Sequence, residues 1–292
     1  MANLEFFLGN NIINEESEPY LIAEIGINHN GDIQIAKKLI DAAYATGWQA
    51  VKFQKREPDI AVPENQKGVM RDTPWGRMTY LEYKKRVEFG KSEYDYIDRY
   101  CKEKPLSWTA SPWDMPSLEF LLQYDIPFIK IASASLTNDE LLTAASHSGK
   151  PLIVSTGMST WEEIDHAVEI LEREAGGYYI LMHTNSSYPC PHKDLNLKMI
   201  SVLRERYHCL VGYSGHEEDL SPSVVAVCLG AKVVERHVTL SHDMWGTDQK
   251  ASLMVPAMGM LAGRVAGIKE MLGDGQRHLS ENELAVRRKL RG

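Results

Sequence analysis

Two patterns of apolar positions alternate along this chain, one typical of strands and one typical of helices. Short β-rich runs are in most cases followed by a stretch in which apolar residues recur at helical spacing. In 160–176, Ile164, Val168 and Leu171 fall on one helical face, and Ser159 with Glu162 predicts a capping box at its start. The eight runs predicted as strands are 20–28, 48–54, 106–111, 128–133, 151–157, 178–185, 210–216 and 233–239.

Strands that alternate with helices predict a parallel sheet with right-handed crossovers. Eight such units within 292 residues match a closed (β/α)8 barrel, which takes about 250 residues. A doubly wound open sheet is the main alternative, but no GxGxxG motif follows the first strand. We therefore predict an α/β fold, in which a single (β/α)8 TIM-barrel domain spans 1–292.

Two segments interrupt this regular alternation. The connection at about 55–90 is long, and segments of that length between elements are usually functional or disordered. Because it contains aromatic and apolar residues, we expect a long loop that folds over the barrel mouth. From about residue 273 the chain is polar and charged, which predicts a tail without a second domain.

Composition narrows the class of protein. A chain with 43% hydrophobic and 25% charged residues suits a folded, soluble protein. The formal net charge of −8 argues against nucleic-acid and anionic-membrane partners, which need a basic surface. We find no transmembrane stretch and no signal peptide, and the four cysteines are scattered without metal-binding spacing. We expect a cytoplasmic protein.

Polar side chains cluster where the predicted strands end, which is where barrel enzymes place their active sites. Three pairs of such residues are spaced i and i+2, so both members of each pair share one face of a strand. A charge facing the helices would be costly to bury, so we expect the pairs to point into the barrel. The pairs are Lys52 with Gln54, Ser214 with His216, and Glu235 with His237.

Two cations surrounded by hydroxyl groups describe a pocket for a phosphate and a carboxylate. Lys52 and Lys130 supply the charge, and the hydroxyl donors are Ser111, Ser133, Ser155 and Ser214. An alternative is that the lysines form an interior ion-pair layer with Glu24 and Glu235.

His216 and His237 lie at the ends of neighbouring predicted strands. Adjacent strands are about 4.8 Å apart, so the two imidazoles can share one metal ion. Two protein ligands leave the remaining positions to water and substrate, as a catalytic site requires. Nitrogen and oxygen ligation suits Mn²⁺, Mg²⁺, Co²⁺ or Zn²⁺.

These residues resemble those of the N-acetylneuraminate (sialic acid) synthase family, which includes pseudaminate and legionaminate synthases. The similar motifs run in family order across about 20–255. They are AEIGINHNG (23–31), VKFQ (51–54), ASPWD (110–114), IKIAS (129–133), STGM (155–158), HTNSSYP (183–189), GYSGHE (212–217), ERHVTL (235–240) and GTDQKASL (246–253).

The resemblance implies metal-dependent condensation of phosphoenolpyruvate with the open chain of an N-acetylated hexosamine. The products are a nonulosonic 2-keto acid and phosphate, with C–O cleavage. Mn²⁺ is the expected metal, with Mg²⁺ or Co²⁺ as alternatives, bound by His216 and His237. Glu24 resembles an acidic residue of the reaction centre, and Gln54, Tyr188 and Asp248 resemble sugar contacts. The resembling phosphoenolpyruvate contacts are Lys52, Ser111, Lys130, Ser133, Ser155, Ser186 and Ser214.

The chain departs from the family pattern in two ways, both on the sugar side. The sequence contains the barrel without the usual C-terminal antifreeze-like domain. Ser135 occupies a place where relatives often carry a carboxylate. We expect 55–90 to supply a replacement wall and the chain to form a homodimer or higher homo-oligomer. The residues expected in that wall are Asp72, Trp75, Arg77 and Tyr80.

Two other functions remain open from the sequence. One is a Schiff-base aldolase of another barrel family, with Lys130 as the nucleophile. The other is a non-catalytic barrel that binds a sugar, although such a protein does not need two histidines placed for a metal.

Overall fold

Eight parallel strands form the centre of the computed structural model, which describes residues 4–291. A short antiparallel hairpin, β1 with β2, precedes them, and a second hairpin, β5 with β6, lies between barrel strands. The strands in chain order are β1 (Phe6–Leu8), β2 (Asn11–Ile13), β3 (Tyr20–Gly26), β4 (Ala50–Lys55), β5 (Met70–Thr73), β6 (Gly76–Thr79), β7 (Ser107–Pro112), β8 (Ile129–Ile131), β9 (Leu152–Ser155), β10 (Tyr179–Thr184), β11 (Val211–Gly215), β12 (Val233–Thr239) and β13 (Leu253–Met254).

The parallel strands pair in a ring. Their order is β7-β4-β3-β12-β11-β10-β9-β8, and the Thr109 hydroxyl on β7 donates to the Phe128 carbonyl beside β8 at 2.8 Å. The ring is therefore nearly closed, and the prediction of an α/β TIM barrel is confirmed. All eight predicted strands occur, although most are shorter than the runs that predicted them.

Helices follow the barrel strands and cover the outside of the ring. Three single turns of 3₁₀ helix also occur, at Ser133–Ser135, His192–Asp194 and Gln249–Ala251. The α-helices are α1 (Ile33–Ala45), α2 (Pro58–Ala61), α3 (Glu64–Lys67), α4 (Tyr80–Val87), α5 (Lys91–Glu103), α6 (Met115–Leu121), α7 (Asp139–Ser146), α8 (Trp161–Ala175), α9 (Met199–Tyr207), α10 (Ser221–Cys228), α11 (Val255–Val265), α12 (Ile268–Leu272) and α13 (Glu281–Arg291).

The capping box of α8 lies one residue later than predicted. Thr160, not Ser159, accepts from the Glu163 backbone N–H, and Glu163 accepts from the Thr160 N–H at 2.7 Å. The Ser159 hydroxyl instead donates to the Gly157 carbonyl at 3.1 Å. That bond commits Ser159 to the turn after β9, so the prediction of Ser159 and Glu162 as the box was wrong.

The barrel interior changes from apolar to polar along the strands. Ile22, Ile153 and Val233 face inward near the strand starts, where Phe6 and Leu8 of the β1–β2 hairpin pack against the same cluster. Two residues further on, the inward positions become polar: Glu24 follows Ile22, Ser155 follows Ile153, and Glu235 follows Val233. The hairpin thus closes the apolar end of the barrel, and the polar layer faces the open end.

Arg236 points the other way on β12 and is fully buried against the helix layer. It pairs with Glu217 at 2.8 Å and donates to the Ser223 hydroxyl at 2.9 Å. The premise that a charge on the outer face of the barrel is too costly was therefore wrong here. A buried carboxylate with matching hydrogen bonds compensates the cation.

The segment 55–90 is not a loop. It contains α2, α3, the β5–β6 hairpin and α4, and α4 begins with a capping box of Thr79 and Glu82. Tyr83 and Val87 form a small apolar cluster with Ile27, against which Trp75 and Trp245 pack. These contacts attach the segment to the open end of the barrel, where it had been expected.

The C-terminal tail contains a helix, α13, and its described side chains are mostly exposed. Within residues 4–291, no helix combines the length and apolar character needed to cross a bilayer.

Candidate active site

The polar layer at the open end of the barrel encloses a cavity of about 200 Å³. Each barrel strand contributes to its wall, either from its last inward positions or from the turn that follows. The lining residues are Glu24, Lys52, Gln54, Ser111, Trp113, Lys130, Ala132, Ser133, Ala134, Ser155, Met158, Thr184, Ser186, Tyr188, Ser214, His216, Glu235 and His237.

A buried network of charges forms the floor of this first cavity. Lys52 Nζ lies 2.6 Å from Glu24 Oε2 and 3.5 Å from Glu235 Oε1, and it donates to the Ser111 hydroxyl at 3.0 Å. Burial penalises the Lys52 ammonium, but Glu235 and Glu24 outweigh that cost and raise its pKa. Burial likewise opposes ionisation of Glu235, but Lys130 and Lys52 outweigh it and lower the carboxyl pKa.

Lys130 is less well compensated than Lys52. Its ammonium donates to Ser155 Oγ at 2.6 Å and lies 3.9 Å from Glu235 Oε2. Burial lowers the pKa of Lys130 to about 8, although Glu235 acts in the opposite direction. The ion-pair layer considered from the sequence is therefore present, but it lines an open cavity and leaves one cation available to an incoming anion.

Hydroxyl groups converge on the strand ends beside Lys130. The Gly157 N–H donates to Ser133 Oγ at 3.1 Å. A Cβ on Gly157 would lie 2.6 Å from Ser186 Oγ and 2.8 Å from Ser133 Oγ, so only glycine leaves room for both hydroxyls. This cluster offers short neutral donors next to a cation, an arrangement that suits a phosphate oxygen.

The two histidines lie together on neighbouring strands: His216 directly follows β11, and His237 lies on β12. Their ring centroids are 5.5 Å apart, and the Tyr188 ring packs 4.0 Å from His216. His216 Nδ1 lies 2.6 Å from the Asn185 carbonyl, which can only accept, so this nitrogen carries the proton and Nε2 keeps its lone pair. Burial, with His237 second, lowers the pKa of His216 to about 3, so the ring is neutral at pH 7.

His237 is also available to a ligand. Its Nδ1 is buried without a hydrogen-bond partner and lies 4.0 Å from Asp248 Oδ2. Within residues 4–291 no cluster of three or more histidine, cysteine or carboxylate side chains is arranged to hold a metal. The metal site predicted at His216 and His237 stays a prediction; a metal there would take its other ligands from water or substrate. Two features of the histidines fit a metal. The His216 ring is neutral and is oriented through its Nδ1, and His237 Nδ1 has no hydrogen-bond partner.

A second cavity of about 260 Å³ adjoins the first. Gln54, Trp113 and Tyr188 line both, so the two spaces meet at these side chains. Arg56 and Lys84 supply its cations, and Asp248 its carboxylate. The full lining is Ile27, Gln54, Arg56, Ala61, Val62, Pro63, Tyr80, Lys84, Trp113, Tyr188, Thr247 and Asp248.

Comparison with known proteins decides the family. The model of the NeuB family matches residues 39–277, which is most of the chain. The chain belongs to the NeuB family.

Named relatives agree with that membership. N-acetylneuraminate-9-phosphate synthase of Drosophila melanogaster is 40% identical over 253 residues, which cover 86% of this chain and 68% of that protein. N,N'-diacetyllegionaminic acid synthase of Legionella pneumophila is 32% identical, over 92% of this chain and 77% of that protein. This NeuB-family chain is therefore an enzyme of the nonulosonate synthase type, and the predicted enzyme class is confirmed.

A solved structure supports both the family and the fold. The N-acetylneuraminic acid (sialic acid) synthetase of Leptospira borgpetersenii serovar Hardjo-bovis, in complex with citrate, superposes with a TM-score of 0.87. The two chains are 31% identical, and the match covers 99% of this chain and 98% of that one.

The barrel of this NeuB-family chain brings nearly all the predicted site residues into the first cavity. Glu24, Gln54 and Tyr188 line it together with both lysines, both histidines and all five predicted serines. Asp248 is the exception: it lines the second cavity, where Gln54 and Tyr188 join it. Their roles in binding and catalysis stay predictions.

The predicted sugar-side wall was partly wrong. Ser135 is buried in a 3₁₀ turn and lines neither cavity, because that turn presents Ser133 and Ala134 instead. Of the four residues expected from 55–90, Tyr80 alone lines one of these two cavities. Trp75 packs against Trp245 at 5.7 Å between centroids. Asp72 and Arg77 face each other across the β5–β6 hairpin, outside both cavities.

Two cations of the second cavity, Arg56 and Lys84, were not predicted from the sequence. Arg56 directly follows β4 and lies two residues after Gln54, the last residue of the VKFQ motif. The i, i+2 spacing used for the other site residues could therefore have predicted it. Lys84 lies within the basic run 84–86 of α4, where neither spacing nor charge separates it from its neighbours. His183 and Asn28 also lie at or near strand ends, but their side chains bond to the Leu195 and Val238 carbonyls at 2.7 and 2.9 Å.

Proposed function

We propose that this enzyme condenses phosphoenolpyruvate with the open chain of an N-acetylated hexosamine, giving a nonulosonic 2-keto acid and phosphate. The observation that carries this proposal is the first cavity, where two buried lysines, a group of serine hydroxyls and two histidines converge. The proposal is also supported by the relatives, which are named N-acetylneuraminate-9-phosphate synthase and N,N'-diacetyllegionaminic acid synthase.

We assign phosphoenolpyruvate to the side of the cavity with Lys130, Ser133 and Ser155. The Lys130 ammonium has one distant carboxylate partner, Glu235 at 3.9 Å, so an anionic substrate can complete its coordination. Lys52 adds a second cation that Glu24 and Glu235 hold in place. The serine hydroxyls next to Gly157 then bind phosphate oxygens without adding charge.

The acceptor aldehyde is assigned to the side with His216 and His237. Both histidines would hold a divalent metal, with Mn²⁺ as our choice and Mg²⁺ or Co²⁺ as alternatives. When bound, the metal polarises the aldehyde oxygen as a Lewis acid. Tyr188 packs on His216, and Asp248 lies 4.0 Å from His237, so both can fix the sugar chain beside the imidazoles.

The bond changes follow from these positions. The C2–C3 π pair of phosphoenolpyruvate forms the new bond to the aldehyde carbon, whose oxygen takes up a proton and becomes a hydroxyl. Water adds at C2 and loses a proton, and the C2–O bond to phosphate then breaks to give the keto acid. Glu24, which accepts from Gln54 at 3.0 Å and pairs with Lys52, is the carboxylate we assign to proton transfer.

The deciding experiment measures phosphate release from phosphoenolpyruvate with Mn²⁺ and a panel of N-acetylated hexosamines, free and phosphorylated. We expect release that depends on an aldose, together with a nine-carbon 2-keto acid detected by mass. Phosphoenolpyruvate labelled with ¹⁸O in the bridging position should leave its label in phosphate. Label retained in the keto acid, or release without any aldose, would contradict the reaction.

The Schiff-base aldolase has one structural observation in its favour, the pKa of Lys130, which burial lowers to about 8. An amine that is partly neutral at pH 8 is a better nucleophile. Borohydride treatment with pyruvate tests this reading directly. The condensation mechanism predicts no covalent adduct on Lys130, and an adduct on that residue would favour the aldolase.

A further inference from the structure

Arg56 lies at the junction of the two cavities, in contact with two of the residues that line both. Its guanidinium donates through Nη2 to the side-chain oxygen of Gln54, and its Cζ lies 4.5 Å from the centroid of the Trp113 ring. The Arg56 side chain is buried and lines the second cavity. Because Gln54 lines both cavities, Arg56 can affect the first cavity through this amide.

The Gln54 amide lies between two partners that need its opposite ends. A guanidinium has only donors, so the Gln54 oxygen must face Arg56. An ionised carboxylate only accepts, and the Gln54 nitrogen Nε2 donates to Glu24 Oε1 at 3.0 Å. Both contacts therefore require the same orientation of the amide. Together they form a chain of hydrogen bonds that runs from the second cavity into the first.

The Glu24 carboxylate is held at both of its oxygens. Gln54 donates to Oε1, and Lys52 Nζ lies 2.6 Å from Oε2. The backbone leaves room for the contact with Gln54 at Gly26, where φ is +55°. A Cβ at that position would lie 3.0 Å from Glu24 Oε1 and 3.2 Å from Gln54 Nε2. The backbone of β3 as well as the side chains thus accommodates this contact.

Arg56 is itself held by the segment 55–90. Its backbone N–H donates to Glu88 Oε1 at 3.0 Å, and its Nε lies 3.8 Å from Glu88 Oε2. Trp113 covers one face of the guanidinium, and Gln54 accepts from Nη2. Protein groups therefore occupy most of the directions in which this guanidinium could bind a substrate. Such surroundings favour a residue that orients Gln54 over one that binds the aldose.

We propose that Arg56 is a positioning residue for the condensation: it holds the Gln54 amide against Glu24. This inference rests on the proposed function, which assigns proton transfer to Glu24. Without Arg56, the oxygen of the half-buried Gln54 would face open cavity, and the side chain would be free to turn away. Glu24 would then keep Lys52 alone. Since proton transfer needs the carboxylate within hydrogen-bond reach of the reacting group, the loss falls on the chemical step.

The test measures kcat and both KM values for Arg56→Ala in the full chain. We expect kcat to fall by at least about tenfold, the usual effect of losing a charge-assisted hydrogen bond. The KM for phosphoenolpyruvate should not change, because that substrate is assigned to the side with Lys130 and Ser155. The control is Arg99→Ala, which removes an exposed arginine of α5 outside both cavities and should behave as the wild type.

Two further variants separate the hydrogen bond from packing. Arg56→Met keeps an apolar contact with Trp113 but has no donor, so its kcat should fall as in Arg56→Ala. Arg56→Lys keeps one donor for Gln54 and should restore part of kcat. Both variants should fold, because Lys55 still pairs with Glu88 at 3.1 Å. Wild-type kcat in Arg56→Met would mean that Arg56 serves packing alone, and this would overturn the inference.

Gln54→Ala distinguishes positioning from direct binding of the substrate. If Arg56 acts through Gln54, the effect of Arg56→Ala should disappear once Gln54 is removed, so the double variant should have the kcat of Gln54→Ala. Added guanidinium chloride should restore part of kcat in Arg56→Ala and none in Gln54→Ala. Losses that multiply in the double variant would show that Arg56 acts independently of Gln54, and the inference would be wrong.

The outcomes also separate this inference from the proposed function. If the wild type shows aldose-dependent phosphate release and the Arg56 variants keep its kcat, the condensation stands and the positioning role is refuted. If no aldose supports release from phosphoenolpyruvate, the proposed function fails, and the positioning role fails with it.

Discussion

Replacing Lys130 by methionine tests the donor side of the site most directly. The Lys130 ammonium bonds to the Ser155 hydroxyl at 2.6 Å, and its nearest carboxylate partner, Glu235, is 3.9 Å away. Methionine fills a similar volume and removes a cation whose pKa is already lowered by burial. Glu235 keeps Lys52 as a partner at 3.5 Å, so we expect Lys130→Met to fold.

The loss of affinity for phosphoenolpyruvate has two parts. One charge-assisted hydrogen bond contributes about 1.5–3 kcal/mol, and each 1.4 kcal/mol is roughly a factor of ten. In addition, the substrate would face Glu235 with one fewer cation between them. Two unit charges about 4 Å apart interact by about 4 kcal/mol at an effective dielectric constant of about 20. Together these terms predict a weakening of at least about a hundredfold.

Titration calorimetry with phosphoenolpyruvate alone measures this affinity without turnover. The matched control is Lys102→Met, which removes an exposed lysine paired with Asp98 at 2.8 Å and should leave the affinity unchanged. The wild type should also bind more weakly as pH rises through about 8, because the ammonium is the binding form. Lys130→Met should lack that pH dependence.

The free energy of unfolding should change with pH in the opposite direction to the affinity for phosphoenolpyruvate. The pKa of Lys130 is about 8 in the folded protein and 10.5 for an ordinary lysine, so the unfolded chain holds more protons between those pH values. Unfolding free energy should therefore gain a rising contribution over that window, and Lys130→Met should lose it. An affinity within threefold of the wild type, with the same pH profile, would refute the reasoning and assign Lys130 to the ion-pair layer.

Three other predictions concern the metal, the outer layer and assembly. His216→Ala and His237→Ala should abolish turnover while circular dichroism stays native, and full activity in excess EDTA would contradict a metal site. Glu217→Ala leaves Arg236 buried without its carboxylate at 2.8 Å, so denaturant unfolding should show a loss of about 3–5 kcal/mol; a change below about 1 kcal/mol would mean that Ser223 and backbone carbonyls suffice. Light scattering should give a mass of at least twice 33.0 kDa, and a value near 33.0 kDa at micromolar concentration would exclude the predicted oligomer.

The sequence predicted those parts of the molecule that depend on a regular period. Ile22 and Glu24, or Val233 and Glu235, are two residues apart and face inward together, so strand periodicity alone placed the polar layer. The same argument failed for Arg236, because its compensation by Glu217 depends on a contact across two elements. A period along one strand contains no information about such a partner.

The second cavity could not be predicted for a similar reason. Lys84 and Lys85 are adjacent and chemically identical in the sequence. One is buried beside Arg56 and the other pairs with Asp59 at the surface, and only the packing of α4 on the barrel decides which. Arg77 was chosen for its charge, yet the β5–β6 hairpin directs it away from both cavities.

The β1–β2 hairpin has a consequence for the order of events in catalysis. Phe6, Leu8 and Ile13 fill the far end of the barrel with the inward side chains of the strands, so reactants and products share the opposite opening. If the donor binds in the first cavity, as we propose, and the acceptor extends towards the second, a bound aldose blocks the way to the donor. Initial-rate kinetics should therefore be ordered and sequential, with phosphoenolpyruvate binding first and the nine-carbon product leaving before the phosphate held beneath it.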